Sequence, residues 1–456
     1  MEIHTLSWRE TLAMYRDIRM VRILLIGTLS GLPQVAVLSM MTLWLQESGF
    51  SRTDIGLFGL VLVVYAVNVA WAPIVDAVRL PVLARWLGPR RSWIVAMQTV
   101  IVVCLAALSR LEPDGQLEWV AVWAVVLAAA GATQDVAIDA LRIEQFREDE
   151  PRKVGGGSAM ATSGWWIGYG LGGGLALWLV EWLQEAGIEQ AWQQGYLWLI
   201  LLVGVLVGLF LWLVPEPDRP RQTAERTVGW GLHLVKMYVH PVRSFVVRYG
   251  AQLAVFLLLA IFLFKVGEAF LGRMSLVFYT EIGFSKSDIA LYSKGYGAVA
   301  IAVFAVLGSL INARYGLLRG IIIGGVAMAL TNLLFALLAW YPSSGLFVVA
   351  VIADQFTTAI STVAFVAFLS QLCDRNWTAT QYAALASLGT LSRTLLAAGS
   401  GILIDGLGGD WPLFFVITTL MVVPSLLLIA MNRRRLAPFM EGRSVSSIHV
   451  VKQRMS

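Results

Sequence analysis

The chain has 456 residues, of which 58% are hydrophobic and only 14% are charged, and its formal net charge is +5. A soluble domain carries about 25% charged residues, so this composition excludes an ordinary soluble protein. In a chain with a mean hydropathy of +0.73, the positive charge is a signal of membrane topology and not of nucleic-acid binding.

Twelve apolar stretches are each long enough to cross a bilayer, which takes about 20 residues. They occupy residues 21–43, 55–75, 92–109, 119–140, 158–182, 195–214, 252–280, 288–311, 318–340, 345–372, 379–404 and 411–431. A chain that crosses lipid must satisfy its backbone hydrogen bonds internally, and runs of this length do so as helices. The sequence therefore predicts an all-α polytopic membrane protein with twelve transmembrane helices, called spans 1 to 12 below.

Lysine and arginine lie almost entirely on one side of these spans. Only Arg52, Arg110 and Lys286 fall on the other side. Four more fall inside spans: Lys265, Arg273, Lys294 and Arg393. Because Lys and Arg are enriched in cytoplasmic loops, this pattern predicts that both termini are cytoplasmic. The basic side is called the predicted cytoplasmic side below.

The chain contains an internal repeat of about half its length. Residues 47–57, ESGFSRTDIGL, match residues 281–291, EIGFSKSDIAL, and Asp54 and Asp288 are predicted to cap spans 2 and 8. A second, weaker similarity relates the segment after span 2, with Asp76 and GPRR at 88–91, to the segment 308–319 after span 8. Equal orientation of the copies predicts two parallel six-helix halves, the arrangement of the major facilitator fold. The predicted parts are an amino-terminal half 1–214, a cytoplasmic linker 215–250, a carboxy-terminal half 251–432 and a basic cytoplasmic tail 433–456.

Six motifs spread over most of the chain carry a family resemblance. They are GTLSGLP at 27–33, WAPIVD at 71–76, GPRRSW at 88–93, GATQDVAIDA at 131–140, FKVGEAF at 264–270 and TATQYAALASL at 378–388. Together they resemble the AmpG-type muropeptide permeases of the major facilitator superfamily. The chain departs from that pattern in span 10, where ADQF stands at 353–356 in place of a Glu-Asn pair, and in its basic tail, where some members have extra spans.

The resemblance implies a proton-coupled importer of anhydro-muropeptides, which are sugar–peptide fragments of the cell wall, in the bacterial inner membrane. Its partners would be the substrate, protons and the lipid bilayer, with no nucleic acid, and the protein would act as a monomer. The alternative is a permease for another anionic solute, such as a siderophore or an acyl-CoA-like compound. A transporter-like sensor without flux is a third interpretation.

Charges inside spans are the candidates for substrate and proton sites, because each costs free energy in lipid. Lys265 and Glu268 stand three residues apart and can pair on one face of span 7, either as a structural pair or as a pair that substrate or a proton breaks. Arg393 is deep in span 11, where it can bind a substrate carboxylate or bridge to Asp354. Arg273 and Lys294 either line the cavity or extend to the outer interface. Gln381, Trp165 and Tyr296 complete the predicted substrate site.

Three acids are the candidate proton carriers, namely Glu268, Asp135 and Asp354. Asp139 follows Asp135 by one helical turn in span 4 and is predicted to pair with Arg90 or Arg91. With Asp76, these residues form a predicted cytoplasmic gate. The four histidines all lie outside the spans, and the sequence has no metal-ligand spacing, serine elbow or phosphate-binding glycine loop, so it predicts neither an enzyme nor a cofactor or metal site.

Overall fold

The computed structural model describes residues 13–50, 58–147, 149–217, 230–284 and 297–440. Within these ranges the chain forms helices and no strands. Eight helical stretches are long and apolar enough to cross a membrane: Ile18–Leu45, Pro89–Leu108, Pro113–Glu144, Ala191–Leu213, Ala251–Tyr279, Leu317–Trp340, Ser344–Leu372 and Trp411–Met431. They coincide with predicted spans 1, 3, 4, 6, 7, 9, 10 and 12.

The remaining predicted spans are helical but interrupted or only partly described. Span 2 consists of Gly59–Leu62, Val63–Val67, Asn68–Ala70 and Ala72–Ala77. Span 5 consists of Pro151–Trp166, a π-helical turn Ile167–Leu171 and Gly172–Glu185. The described part of span 8 is Gly297–Tyr315, and span 11 consists of Thr378–Ala398 and Ser400–Gly406.

One span in each half, span 1 and span 7, also changes its helical geometry midway. Span 1 runs through Ile18–Gln34, a π-helical segment Val35–Met40 and Met41–Glu47. Span 7 is divided into Ala251–Phe264 and Val266–Glu281. Shorter helices comprise Met14–Arg16, Leu83–Leu87, the linker helix Trp230–Tyr249, Arg375–Trp377 and Arg433–Met440.

The predicted repeat is visible in equivalent contacts of the two halves. Trp192, at the start of span 6, donates to Glu47 at 2.8 Å, and Trp411, at the start of span 12, donates to Glu281 at 2.8 Å. On the other side of the membrane, Gly88 before span 3 has φ +85° and Gly316 before span 9 has φ +84°. The two halves are therefore built alike and in the same orientation. Asp54 and Asp288 lie outside the described residues.

Spans 1 and 5 pack with their backbones in direct contact. A Cβ atom on Gly31 would lie 2.4 Å from the carbonyl oxygen of Trp165, and one on Gly168 would lie 2.2 Å from that of Thr28. Only glycine permits this approach, which explains the run of small residues in span 5. The contact brings the π-helical segments of both spans together in the first half.

Candidate functional site

A buried charged cluster lies at the break in span 7. Lys265 occupies the break itself, between the two helices of the span. Its ammonium pairs with Glu268 and donates to Ser361 Oγ and Thr362 Oγ1 of span 10, both at 2.9 Å. An ammonium has three donors, so these partners use all of them. The break in the helix thus places a fully hydrogen-bonded cation between spans 7 and 10.

The members of this cluster differ in their access to solvent. The Lys265 side chain is 3% exposed and is therefore closed off from solvent in this conformation. Glu268 retains 12% exposure. Arg393 on span 11 is exposed, and both it and Asp354 lie near enough to Lys265 for a charge–charge interaction. Lipid exposure of an arginine at this depth is costly, so the exposed side of Arg393 is best explained by a water-filled cavity.

Of the other predicted substrate residues, Trp165 and Gln381 lie away from this cluster. Arg273 lies on the second helix of span 7. Lys294 and Tyr296 are outside the described residues. Trp165 belongs to the first half, where its ring stacks on Tyr169 at 5.1 Å and meets Trp166 edge-on at 5.0 Å. These three half-buried rings form an aromatic group at the π-helical turn of span 5.

The first half holds its own half-buried acid, Asp135 of span 4. Ser30 of span 1 donates to Asp135 at 2.7 Å. The Tyr65 hydroxyl of span 2 bonds to Gln34 and lies close to this acid. A Cβ on Gly131 would sit 2.3 Å from the Tyr65 oxygen, so the glycine makes room for the tyrosine. Asp135 is therefore held by the Ser30 hydroxyl, whereas Glu268 is held by a cation.

Asp76 joins the two halves on the predicted cytoplasmic side. Its carboxylate pairs with Arg90 in the first half and accepts from Thr380 N at 2.7 Å, Thr380 Oγ1 at 2.6 Å and Ala379 N at 3.3 Å in the second half. These are the first free N–H groups of span 11, so Asp76 caps a helix of the opposite half and faces its positive end. Arg90 is fully buried and has a second partner, Glu144, at 3.0 Å.

Further contacts close the same side. Gln371 donates to the Pro151 carbonyl at 2.8 Å, and Arg375 donates to the Phe146 carbonyl. Tyr15 is hydrogen-bonded to Ser309. Each of these three contacts links the first half to the second. In the described part of the chain, the halves are thus joined at the predicted cytoplasmic side.

Two predicted assignments require correction. Asp139 pairs with Arg142 at 3.2 Å and not with Arg90 or Arg91, because Arg90 is directed between Asp76 and Glu144. Arg91 instead donates from its side chain to the Leu211 carbonyl at 2.7 Å and from its backbone N–H to the Glu216 carboxylate at 3.0 Å.

Gln381 is likewise not at the charged cluster. Its side chain is buried, accepts from Asp374 N at 2.6 Å and donates to the Pro241 carbonyl at 2.8 Å. Both amide atoms are occupied by backbone at the predicted cytoplasmic end of span 11. In place of the predicted substrate contact, Gln381 forms these two hydrogen bonds in this structure, and the bond to Pro241 holds the linker helix in position.

Sequence reasoning missed several residues of these sites. Arg142 was counted as a loop cation, yet it is buried, bonds Ser158 at 3.0 Å and lies over the Tyr382 ring at 5.2 Å. Its spacing of three residues from Asp139 was the available signal. No sequence signal connects Glu144 to Arg90, or Ser361 to Lys265, because these partners are far apart in the chain. Among the described residues no group of three metal-ligating side chains occurs.

The fold and these sites define a polytopic membrane transporter with two like halves and buried charges between its helices. The family model of the Major Facilitator Superfamily matches residues 23–397. A putative transporter AmpG 4 from Rickettsia felis is 31% identical over 92% of this chain and 98% of the relative. The anhydromuropeptide permease of Escherichia coli is 30% identical over 93% of this chain and 82% of the relative. The chain therefore belongs to the Major Facilitator Superfamily and, within it, to the AmpG-type permeases.

Solved structures agree on the fold. The proton:xylose symporter XylE matches with a TM-score of 0.65 at 14% identity, covering 96% of this chain and 99% of that one. The fucose:proton symporter FucP of Escherichia coli matches with a TM-score of 0.66 at 12% identity, covering 91% and 98%. The protein is a membrane transporter of small molecules and not an enzyme.

Proposed function

We propose that this protein imports anhydro-muropeptides across the bacterial inner membrane by proton symport and alternating access, as a monomer with both termini in the cytoplasm. The observation that carries the proposal is the buried Lys265–Glu268 pair, in a chain 30% identical to an anhydromuropeptide permease. An ion pair buried in a span is costly and marks a pathway by default.

The substrate's chemistry fits the charges of the second half. A muropeptide carries carboxylates, and the guanidinium of Arg393 can hold one in bidentate geometry. Arg393 is exposed while Lys265 is buried, so Arg393 is the first contact. Arg273 and Lys294 would add positive charge toward the outer side. The aromatic group at Trp165 provides flat apolar faces for the sugar rings, on the opposite half.

Proton coupling follows from competition for Lys265. A second substrate carboxylate that reaches the ammonium displaces Glu268, which then loses its cation. A carboxylate without a counter-ion in a buried site binds a proton, so substrate and proton enter together. Asp354 lies close to the same cluster and is a second candidate to accept the proton. Asp135 is the corresponding candidate in the first half.

Alternating access requires the predicted cytoplasmic side to open. The contacts that must break are those of Asp76 with span 11, Gln371 with Pro151 and Arg375 with Phe146. Closure here is compatible with loading of the charged cluster from the outer side. Return of Glu268 to Lys265 after substrate release would reset the site.

The test is uptake into proteoliposomes under an imposed pH gradient. Labelled anhydro-muropeptide should accumulate only when the outside is acidic, and a protonophore should abolish accumulation. An excess of unlabelled anhydro-muropeptide should compete, whereas a ferric siderophore or an acyl-CoA should not. Accumulation that does not depend on the pH gradient would refute proton coupling. Competition by the siderophore or the acyl-CoA, without competition by anhydro-muropeptide, would refute the proposed substrate.

A further inference from the structure

The linker helix Trp230–Tyr249 is attached to the second half along one face. Phe245 and Tyr249 are buried in the core of that half. Ser244 donates to Asp374 at 2.6 Å, and Arg248 donates to the Cys373 carbonyl at 3.2 Å. Gly250 then leads directly into span 7. The helix is therefore fixed at the edge of the membrane and does not behave as a free linker.

The opposite face of the same helix carries valines that no described residue covers. Four of them are exposed there: Val239 by 50%, Val242 by 65%, Val246 by 38% and Val247 by 71%. Tyr238, beside the attached face, donates to the Ala70 carbonyl of span 2 at 2.7 Å. At about 100° per residue, Val242, Val246 and Val239 fall on one arc of about 60°, and Val247 lies about 80° beyond it. A continuous apolar arc of this kind on a surface helix indicates that something covers it.

Positive charge surrounds this arc. Arg243 is exposed on the linker helix, between the apolar arc and Val247. The short helix Arg433–Met440 packs against the end of the linker helix, with the Phe439 and Tyr249 rings 4.7 Å apart. This short helix exposes three consecutive arginines, namely Arg433, Arg434 and Arg435. Arg243 thus borders the apolar arc, and the short helix that packs against the end of the linker helix adds three exposed guanidinium groups.

We propose that this surface binds the anionic phospholipids of the membrane leaflet on that side, with the apolar arc of the linker helix inserted at the headgroup–acyl boundary. An apolar arc bordered by arginines is the pattern of a helix lying in the membrane interface. The arginines would hold lipid phosphates, since each basic residue near an anionic surface adds attraction. The direct continuation into span 7 places the helix at the required depth. The linker is then an in-plane membrane element of the transporter.

The depth of the helix can be measured in the full-length protein with an environment-sensitive fluorophore on single cysteines, after Cys104 and Cys373 are replaced by alanine. The test positions are Val242→Cys and Val247→Cys. Val103→Cys on the exposed face of span 3 serves as the lipid reference, and Arg147→Cys in the 4–5 loop as the aqueous reference. In vesicles with doxyl-labelled lipid, Val242→Cys should be quenched like Val103→Cys, and Val247→Cys less. Quenching of Val242→Cys by aqueous iodide to the level of Arg147→Cys would overturn insertion.

The headgroup preference has a separate readout. Vesicles of phosphatidylcholine are compared with vesicles that also contain phosphatidylglycerol. Lipid quenching at Val242→Cys should increase with phosphatidylglycerol, and replacing Arg433, Arg434 and Arg435 by glutamine should remove most of that increase. Equal quenching in both vesicles would show insertion without anionic recognition and would overturn that part of the proposal.

Discussion

Two half-buried acids of the same chemical type are held in different ways. Glu268 is paired with the fully hydrogen-bonded cation Lys265, whereas Asp135 accepts a hydroxyl bond from Ser30. Only Glu268 has a partner for which an anionic substrate can compete. The difference in partners therefore favours Glu268 as the residue that senses whether substrate is bound.

We expect Glu268→Gln to reduce gradient-driven accumulation to the level of empty vesicles while counterflow exchange of substrate continues. The amide cannot carry a proton, but it keeps the shape of the side chain. The matched variant is Asp135→Asn, measured in the same two assays. If Glu268→Gln still concentrates substrate in a pH-dependent way, Glu268 is not the coupling residue. Asp135 is then assigned if its variant loses accumulation, and Asp354 is next if neither does.

At the scale of elements, the contact of spans 1 and 5 has almost no spare volume. Four glycines lie against backbone of the facing span, and a Cβ on any of them would approach a carbonyl oxygen within 2.2–2.5 Å: Gly27, Gly31, Gly164 and Gly168. Backbone cannot move aside as the end of a flexible side chain can. Gly170 on the same turn of span 5 has no atom within 4 Å of its Cβ position.

Gly168→Ala should therefore lower the stability of the protein by about 1–3 kcal/mol, the usual cost of overpacking. Gly170→Ala is its matched control and should leave stability nearly unchanged. The measurement is the apparent melting temperature of both variants in the same detergent. Equal melting temperatures for the two variants would contradict the assigned packing of spans 1 and 5.

At the scale of the whole molecule, the closed predicted cytoplasmic side depends on a few polar contacts between the halves. Asp76 has the central position, because one carboxylate serves both the buried Arg90 and the start of span 11. Around it, the Phe146 and Pro151 carbonyls accept from the second half. A charged cluster of Asp17, Arg19, Glu150 and Lys153 lies beside the 4–5 loop, which contains Phe146 and Pro151.

Asp76→Asn should shift the protein away from the closed state. The hydrogen bonds from the start of span 11 to a charged carboxylate contribute roughly 1.5–3 kcal/mol, and their weakening falls only on the conformation in which span 11 is docked. The pair of Asp76 with Arg90 lies within the first half, so its weakening affects both conformations. Spin labels at Val78 and Asn376 should report a longer distance in the variant than in the wild type. A pair at Val78 and Arg147, both in the first half, should not change. An unaltered distance between Val78 and Asn376 would argue against Asp76 as a gate residue.

The charged cluster near the 4–5 loop sets a pH range for stability. The hydrogen bond from Arg19 lowers the pKa of Asp17 well below its usual range, and that of Glu150 to about 2. Because both values are lowered in the folded state, their contribution is complete above the ordinary carboxyl pKa of about 4 and is lost as the pH falls toward about 2.

Glu150→Gln should therefore lower stability by roughly 1–3 kcal/mol at neutral pH, the value of hydrogen bonds to charged groups. The difference in melting temperature from the wild type should stay constant between about pH 8 and about pH 5 and shrink only below about pH 4. Glu112→Gln, at the start of span 4 on the other side, is a control. A difference that already shrinks between pH 8 and pH 5 would mean that Glu150 is not held as a carboxylate by Arg19.

The class of protein, the helical spans, the two like halves and the identity of the costly charges were all predictable from the sequence. These follow from composition, from the length of apolar runs and from the repeat, all of which are local or periodic in the chain. The Lys265–Glu268 pair was predictable for the same reason, since its members are one helical turn apart.

Which distant groups meet depends instead on how the helices pack. That packing directed Arg90 to Asp76 and Glu144, gave Asp139 to Arg142, buried Lys265 against Ser361 and Thr362, and occupied Gln381 with backbone. Each outcome depends on the rotation of a helix about its axis and on its depth beside a neighbour. Those quantities are set by packing across the whole molecule, and a single sequence does not encode them in any local pattern.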